Sequence, residues 1–126
     1  DGALEIAAIG PLTNIARAIA ADPDFAPRVR HLWIMGGVFW QNEAEHNVKC
    51  DPEAADVVFR SAIPTTVCGL DVTRKVWFGE PEITAIAASN GDLGPVLADQ
   101  IRRWWAFIKD ARNNPHDPLA MLPTVR

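Results

Sequence analysis

A polar cluster in the first half of the chain has the residue types needed to bind a sugar. Glu45, His46 and Asn47 are adjacent, and Asn42 lies just before them. A carboxylate, two carboxamides and an imidazole suit the recognition of vicinal hydroxyl groups, with one group that can give or take a proton. Spacing alone leaves a simpler explanation open, because a polar segment of this kind is often only a solvated loop.

A second candidate pair, His116 and Asp117, lies near the other end of the chain. The imidazole can act as an acid or a base. The aspartate has an alternative explanation as a helix cap, because an aspartate followed by proline is a common helix opening.

Short apolar runs alternate with helical patterns, and these elements must position the polar residues. Apolar runs that stop at glycine or a polar residue predict strands at 4–9, 31–35 and 63–70. Three- and four-residue apolar spacings and Asp-Pro openings predict helices at 14–20, from 51 onward, at 81–88, at 94–109 and from 117 onward. This alternation predicts an α/β fold with a mostly parallel sheet and flanking helices.

Two helix caps and two apolar helix faces follow from the same patterns. Thr13 is predicted to cap the first helix and Asp51 the second. The predicted apolar stripe of the second helix consists of Ala54, Val57, Val58 and Ala62. That of the helix at 94–109 consists of Leu97, Ile101, Trp104, Trp105 and Ile108.

Ligands of parallel α/β sheets bind beyond the carboxyl ends of the strands. This rule selects the turn at Ile9, the loop after Met35, the turn at Asp71 and the segment around His116. We expect Asp71 to order its turn rather than to contact a substrate.

Composition narrows the class of protein. The 126 residues carry 12 basic and 16 acidic side chains, a net charge of −4, which argues against nucleic-acid binding. No apolar run approaches the roughly 18 residues that span a bilayer. Cys50 and Cys68 are too few for a disulfide scaffold and are expected to be buried, reduced thiols of a cytoplasmic protein. The chain opens without a methionine or a signal peptide, so we expect one partial domain over residues 1–126.

Five blocks of the sequence, in order, resemble the inosine–uridine-preferring nucleoside hydrolase family. They are residues 9–16 (IGPLTNIA), 35–37 with 45–48 and 50–55 (MGG, EHNV and CDPEAA), 61–64 (SAIP), 69–73 (GLDVT) and 116–120 (HDPLA). Together they span almost the whole chain and match the middle of a family member. The resemblance implies an open Rossmann-like core, present here in part.

The resemblance also implies a reaction and a metal ion. Family members hydrolyse the N-glycosidic bond of ribonucleosides to ribose and a free base, in purine and pyrimidine salvage. They use Ca²⁺, for which the backbone carbonyl of Ile9 and the carboxylate of Asp117 would be ligands. The remaining aspartate ligands belong to a family motif outside this chain, so we expect the isolated chain to be inactive.

The resemblance assigns substrate roles to the polar residues. His116 matches the residue that assists departure of the base, and Glu45 and Asn47 match residues that bind the ribose hydroxyls. Asn42 matches a further ribose-binding asparagine. His46 stands where the family more often has phenylalanine, so it is a possible residue of the substrate pocket.

These assignments predict a protein whose partner is a small ribonucleoside, with no nucleic acid and no membrane. A homo-oligomer, a dimer or a tetramer, is possible because tryptophan-rich faces suit subunit contacts. Two alternatives to the hydrolase remain: a non-catalytic module that binds nucleosides or sugars, and an inactive fragment.

Overall fold

The computed structural model describes residues 4–89 and 91–125. The chain divides into two compact units, one formed by Asp1–Thr73 with His116–Arg126 and the other by Arg74–Pro115. The single domain over residues 1–126 stays a prediction, and its first three residues and its last residue lie outside the described part. Each unit is described by itself below.

Three parallel strands form the sheet of the first unit, in the order β1-β2-β3. They are β1 (Leu4–Ala8), β2 (Val29–Met35) and β3 (Thr65–Cys68). Ala8 pairs with Ile34, and Met35 pairs with Cys68, so the carboxyl ends of the strands form one edge. The predicted α/β fold with a parallel sheet is confirmed.

Helices flank the sheet in the first unit, and two further helices form the second unit. The described helices are α1 (Thr13–Ala21), α2 (Phe25–Arg28), α3 (His46–Cys50), α4 (Pro52–Phe59), α5 (Leu70–Thr73), α6 (Glu80–Ala87), α7 (Leu93–Ile108), α8 (His116–Met121) and the 3₁₀ turn Leu122–Thr124. Of these, α6 and α7 lie in the second unit. None of the helices in the described ranges is long and apolar enough to cross a lipid bilayer.

The core of the first unit lies between the sheet and α4. Leu32 and Ile34 of β2 are almost fully buried, as is Val58 of α4. The predicted stripe of α4 was partly wrong. Ala54 and Val58 are buried together with Ala55, whereas Val57 is 41% exposed. Ala62 falls outside the stripe because the helix ends at Phe59.

One hydrogen bond joins α1 to α4. Asp51 caps α4 as predicted, since its Oδ1 accepts from the backbone N–H of Ala54 at 3.0 Å. The predicted cap of α1 was wrong: Thr13 is the first residue of that helix, and Leu12 occupies the cap position without a side-chain bond. The Thr13 hydroxyl instead donates to Oδ2 of Asp51. A residue expected to serve its own helix therefore binds a neighbouring one.

The second unit contains a pair of packed helices, α6 and α7, whose hydrophobic core consists of Ile83, Ala98 and Trp105. The predicted stripe of α7 was partly wrong: Ile101 and Trp105 pack in this core, whereas Leu97 and Trp104 are about half exposed, at 52% and 50%. The reason is Gly94, where an added Cβ would lie 2.4 Å from the carbonyl oxygen of Ile86. The side of α7 that packs against α6 therefore combines the small residues Gly94 and Ala98 with Trp105.

The Asp51 interactions predict a pH-dependent stability. Hydrogen bonds from the Thr13 hydroxyl and then from the Ala54 N–H hold the pKa of Asp51 below its usual value, and Arg17 adds a smaller effect. A depressed folded-state pKa stabilises the protein above the ordinary carboxyl pKa of about 4. This contribution is lost as the pH falls through the folded-state pKa. Asp51→Asn should therefore lower the free energy of unfolding at neutral pH, by an amount that shrinks in acid.

Urea unfolding across a pH series measures this difference. Asp92→Asn is the matched control, because Asp92 stands at the cap position of α7 without a side-chain hydrogen bond. A deficit of Asp51→Asn that is the same at every pH would contradict the assigned carboxylate interactions.

Candidate functional site

The chain segments that leave β2 and β3 run side by side at the carboxyl edge of the sheet. The N–H of Gly36 donates to the carbonyl of Cys68 at 3.3 Å, and the N–H of Leu70 donates to that of Gly37 at 2.9 Å. Gly37 has a φ of 78°, which favours glycine. An added Cβ at Gly69 would lie 2.9 Å from the carbonyl oxygen of Gly37. Both positions therefore need glycine for this close approach.

Glu45 organises the loop that follows β2. Its side chain is 4% exposed, and it caps α3. Its Oε1 accepts from the N–H of Asn47 at 2.8 Å, and its Oε2 accepts from the N–H groups of Val48 at 3.0 Å and Gly37 at 3.1 Å. A carboxylate offers about four acceptor positions, so about one remains for a further donor. The group expected to bind sugar is also the group that holds the loop.

Asp71 is a second buried carboxylate that binds the same loop. It is 6% exposed and lies in α5, directly after β3. Its two oxygens accept from the backbone N–H groups of Phe39 at 2.7 Å and Trp40 at 3.0 Å. Asp71 was expected to order its own turn, whereas these two bonds order the loop after β2.

Asn47 is held against the end of β2. Its Nδ2 donates to the carbonyl of Met35, the last residue of that strand, at 3.0 Å. Within the described part of the chain, no donor bonds to its Oδ1. Asn47 therefore keeps an acceptor available, and the bond from its backbone N–H to Glu45 brings these two predicted residues together.

The other two residues of the cluster lie at the surface. Asn42 is exposed on the loop between Gly37 and Glu45, and none of the described contacts joins it to Glu45 or Asn47. His46 is exposed at the start of α3, and its Nε2 lies 3.6 Å from Sγ of Cys50. Their predicted roles toward a substrate stay predictions. Cys50 itself is exposed, so the expectation that it is buried was wrong.

His116 is held by a buried hydroxyl that sequence analysis did not single out. Its Nδ1 lies 2.7 Å from Oγ1 of Thr73, and Thr73 has no exposed surface. Thr73 ends α5, which follows β3 after Gly69, so His116 stands near the carboxyl end of β3. The available sequence signal was a hydroxyl residue at the close of the GLDVT block.

The two predicted metal ligands fit calcium in donor type. Ile9 directly follows β1, so its carbonyl lies at the carboxyl edge. Asp117 lies in the first turn of α8, because the helix begins at His116; the expected capping position was wrong by two residues. Its carboxylate is half-buried and has no bonding partner in residues 4–89 and 91–125. Calcium takes six to eight oxygens, and the described residues contain no group of three or more metal-ligating side chains.

Comparisons with known proteins agree on one family. A family model described as inosine-uridine preferring nucleoside hydrolase matches residues 1–126. Probable uridine nucleosidase 1 of Oryza sativa subsp. japonica is 36% identical over 133 residues, covering 98% of this chain and 41% of the relative.

Solved structures show the same similarity. A plant nucleoside hydrolase matches with a TM-score of 0.86 and 32% identity, covering 98% of this chain and 42% of that one. A purine-preferring ribonucleoside hydrolase from Gardnerella vaginalis matches with a TM-score of 0.81 and 32% identity, covering 98% and 44%. This chain thus spans less than half the length of each of these relatives.

The contact at Gly69 predicts how sensitive the carboxyl edge is to packing. Gly69→Ala places a Cβ against backbone that cannot rotate away, so we expect it to destabilise the protein by about 1–3 kcal/mol. Gly10→Ala is the matched control, because nothing lies within 4 Å of the added Cβ; we expect a change within about 0.5 kcal/mol. Urea unfolding of both variants measures this, and equal effects would contradict the close approach of the two segments.

Proposed function

The chain belongs to the inosine-uridine preferring nucleoside hydrolase family, and we propose on this premise that the complete protein hydrolyses the N-glycosidic bond of ribonucleosides. The products are ribose and a free base. The observation that carries the proposal is the arrangement of Glu45 and Asn47 at the end of β2, with His116 near the end of β3. Acceptors for sugar hydroxyls and a group that can move a proton stand at one edge of the sheet, where ligands of such sheets bind.

Glu45 and Asn47 bind the ribose in this proposal. Departure of the base leaves oxocarbenium-like positive charge on the sugar. A hydroxyl that donates to the remaining acceptor position of Glu45 becomes more electron-rich, which favours that charge. Oδ1 of Asn47 accepts from a second hydroxyl, and because its amide is tied to Met35 the acceptor is already oriented.

His116 assists the leaving group. When the Thr73 hydroxyl donates to Nδ1, the neutral ring carries its proton on Nε2. That nitrogen then donates to the departing base, which leaves more easily once it receives a hydrogen bond or a proton. Thr73 is a positioning residue in this scheme, since it selects the tautomer and contacts no substrate.

Calcium is part of the proposal, with Asp117 and the Ile9 carbonyl as two of its ligands and further aspartates from outside this chain. When bound, the ion supplies positive charge that orients the sugar hydroxyls and makes the attacking water more acidic. The support is the donor type of both groups and the carboxylate of Asp117, which has no bonding partner among the described residues.

The proposal extends to the substrate class, the cellular location and the oligomeric state. The relatives are described as acting on uridine in one case and preferring purines in another, so the proposed substrate class is ribonucleosides without a stated base. We place the protein in nucleoside salvage in the cytoplasm, in keeping with its two free cysteines. The exposed apolar side of α7, where Phe107 is 77% exposed, supports a homo-oligomer.

Leaving-group dependence tests the reaction and the role of His116 together. In the complete protein, His116→Ala should lower kcat on inosine by about 10²–10⁴, the usual contribution of a positioned acid. The loss should be smaller on p-nitrophenyl riboside, whose leaving group needs no proton. Asn47→Ala is the control, because it acts on the sugar and should slow both substrates alike, by about 10²–10³.

Release of free base and of p-nitrophenol measures these rates. Equal losses of His116→Ala on both substrates would remove His116 from the reaction. A complete protein that binds inosine and uridine without releasing base would contradict the hydrolase and favour the non-catalytic binding module.

A further inference from the structure

An exposed imidazole and an exposed thiol share the outer face of α3. His46 and Cys50 are the first and last residues of this helix, four positions apart, and both are exposed. Residues spaced in this way lie one turn apart on the same side of a helix. Asn47 is bonded to the end of β2, which leaves the His46 and Cys50 side chains at the surface.

The separation of the two side chains matches that of two ligands on one metal ion. Nε2 of His46 lies 3.6 Å from Sγ of Cys50. A tetrahedral zinc ion with a nitrogen at about 2.05 Å and a sulfur at about 2.3 Å separates these two atoms by roughly 3.6 Å. The separation of the two donor atoms is therefore the one that chelation of such an ion requires.

We propose that His46 and Cys50 form a two-residue binding site for Zn²⁺ or a chemically similar divalent cation. Imidazole and thiolate are the ligands that zinc prefers, whereas calcium prefers oxygen, so this site is chemically distinct from the proposed calcium site. The thiol releases its proton to solvent when the metal binds, and water fills the remaining positions.

Metal binding at this place would act on the loop that binds sugar. The ion cross-links the two ends of α3, and this helix is the one that Glu45 caps and that carries Asn47. The bridged helix resists fraying, so we expect the metal to raise the stability of the protein. This effect depends on the two ligands and not on the hydrolase reaction.

Cadmium is the probe, because a cadmium–thiolate bond gives an ultraviolet charge-transfer band that oxygen ligands do not. We expect the complete, reduced protein with calcium present to develop this band, with one equivalent of cadmium bound through Cys50. Cys50→Ser should remove that equivalent. His46→Gln should weaken cadmium binding by at least roughly 10–100-fold. Loss of a residue that only supports a metal ligand already costs that much, and this variant loses a ligand itself. Zinc should compete for the site and raise Tm in the parent protein but not in Cys50→Ser.

Cys68→Ser is the matched control and should bind cadmium like the parent protein. Burial raises the pKa of the Cys68 thiol, which disfavours its thiolate form. An unchanged band in Cys50→Ser, or unchanged affinity in His46→Gln, would overturn the proposal. Absence of any band would also overturn it and leave the pair as a thiol–imidazole hydrogen bond. Circular dichroism of each variant confirms that lost binding is not lost folding.

Discussion

The buried carboxylate of Glu45 is the interaction on which the candidate site depends. It accepts three backbone N–H bonds that join the segment leaving β2 to the start of α3. Hydrogen bonds to a charged group contribute about 1.5–3 kcal/mol each, and a buried carboxylate left without them is costly. Asp71 holds the adjoining stretch in the same way. The position of Asn47, and with it the acceptor offered to a sugar, follows from its backbone bond to Glu45 and its side-chain bond to Met35.

Much of the fold follows from local sequence. The three apolar runs form the parallel strands, and Asp51 followed by proline opens α4. The short helices α3 and α5 were not predicted, because a helix of four or five residues is too short to show an apolar repeat. The stripe of α7 was assigned only in part, because apolar periodicity does not indicate that Gly94 lies against α6. That approach is a property of two helices together and has no local signal.

In the candidate site, too, some features can be predicted from the sequence and others depend on tertiary contacts. Residue types and family resemblance select Glu45, Asn47 and His116, and the family is confirmed by the match over residues 1–126. The resemblance does not indicate that Glu45 accepts three backbone hydrogen bonds, or that Thr73 bonds His116. Such partners are brought together by the sheet edge, from residues up to 43 positions apart. The two sides of α3 also differ: Asn47 is bonded to the end of β2, whereas His46 and Cys50 lie at the surface.

Amide hydrogen exchange in the complete protein tests the central role of Glu45 most directly. The account predicts slow exchange at the N–H groups of Gly37, Asn47 and Val48, because each donates to a buried carboxylate. In Glu45→Gln these three amides should exchange much faster, while those of Leu32 and Ile34 in β2 keep their protection. Fast exchange at the three amides in the parent protein, or unchanged protection in Glu45→Gln, would contradict the claim that this carboxylate holds the site together.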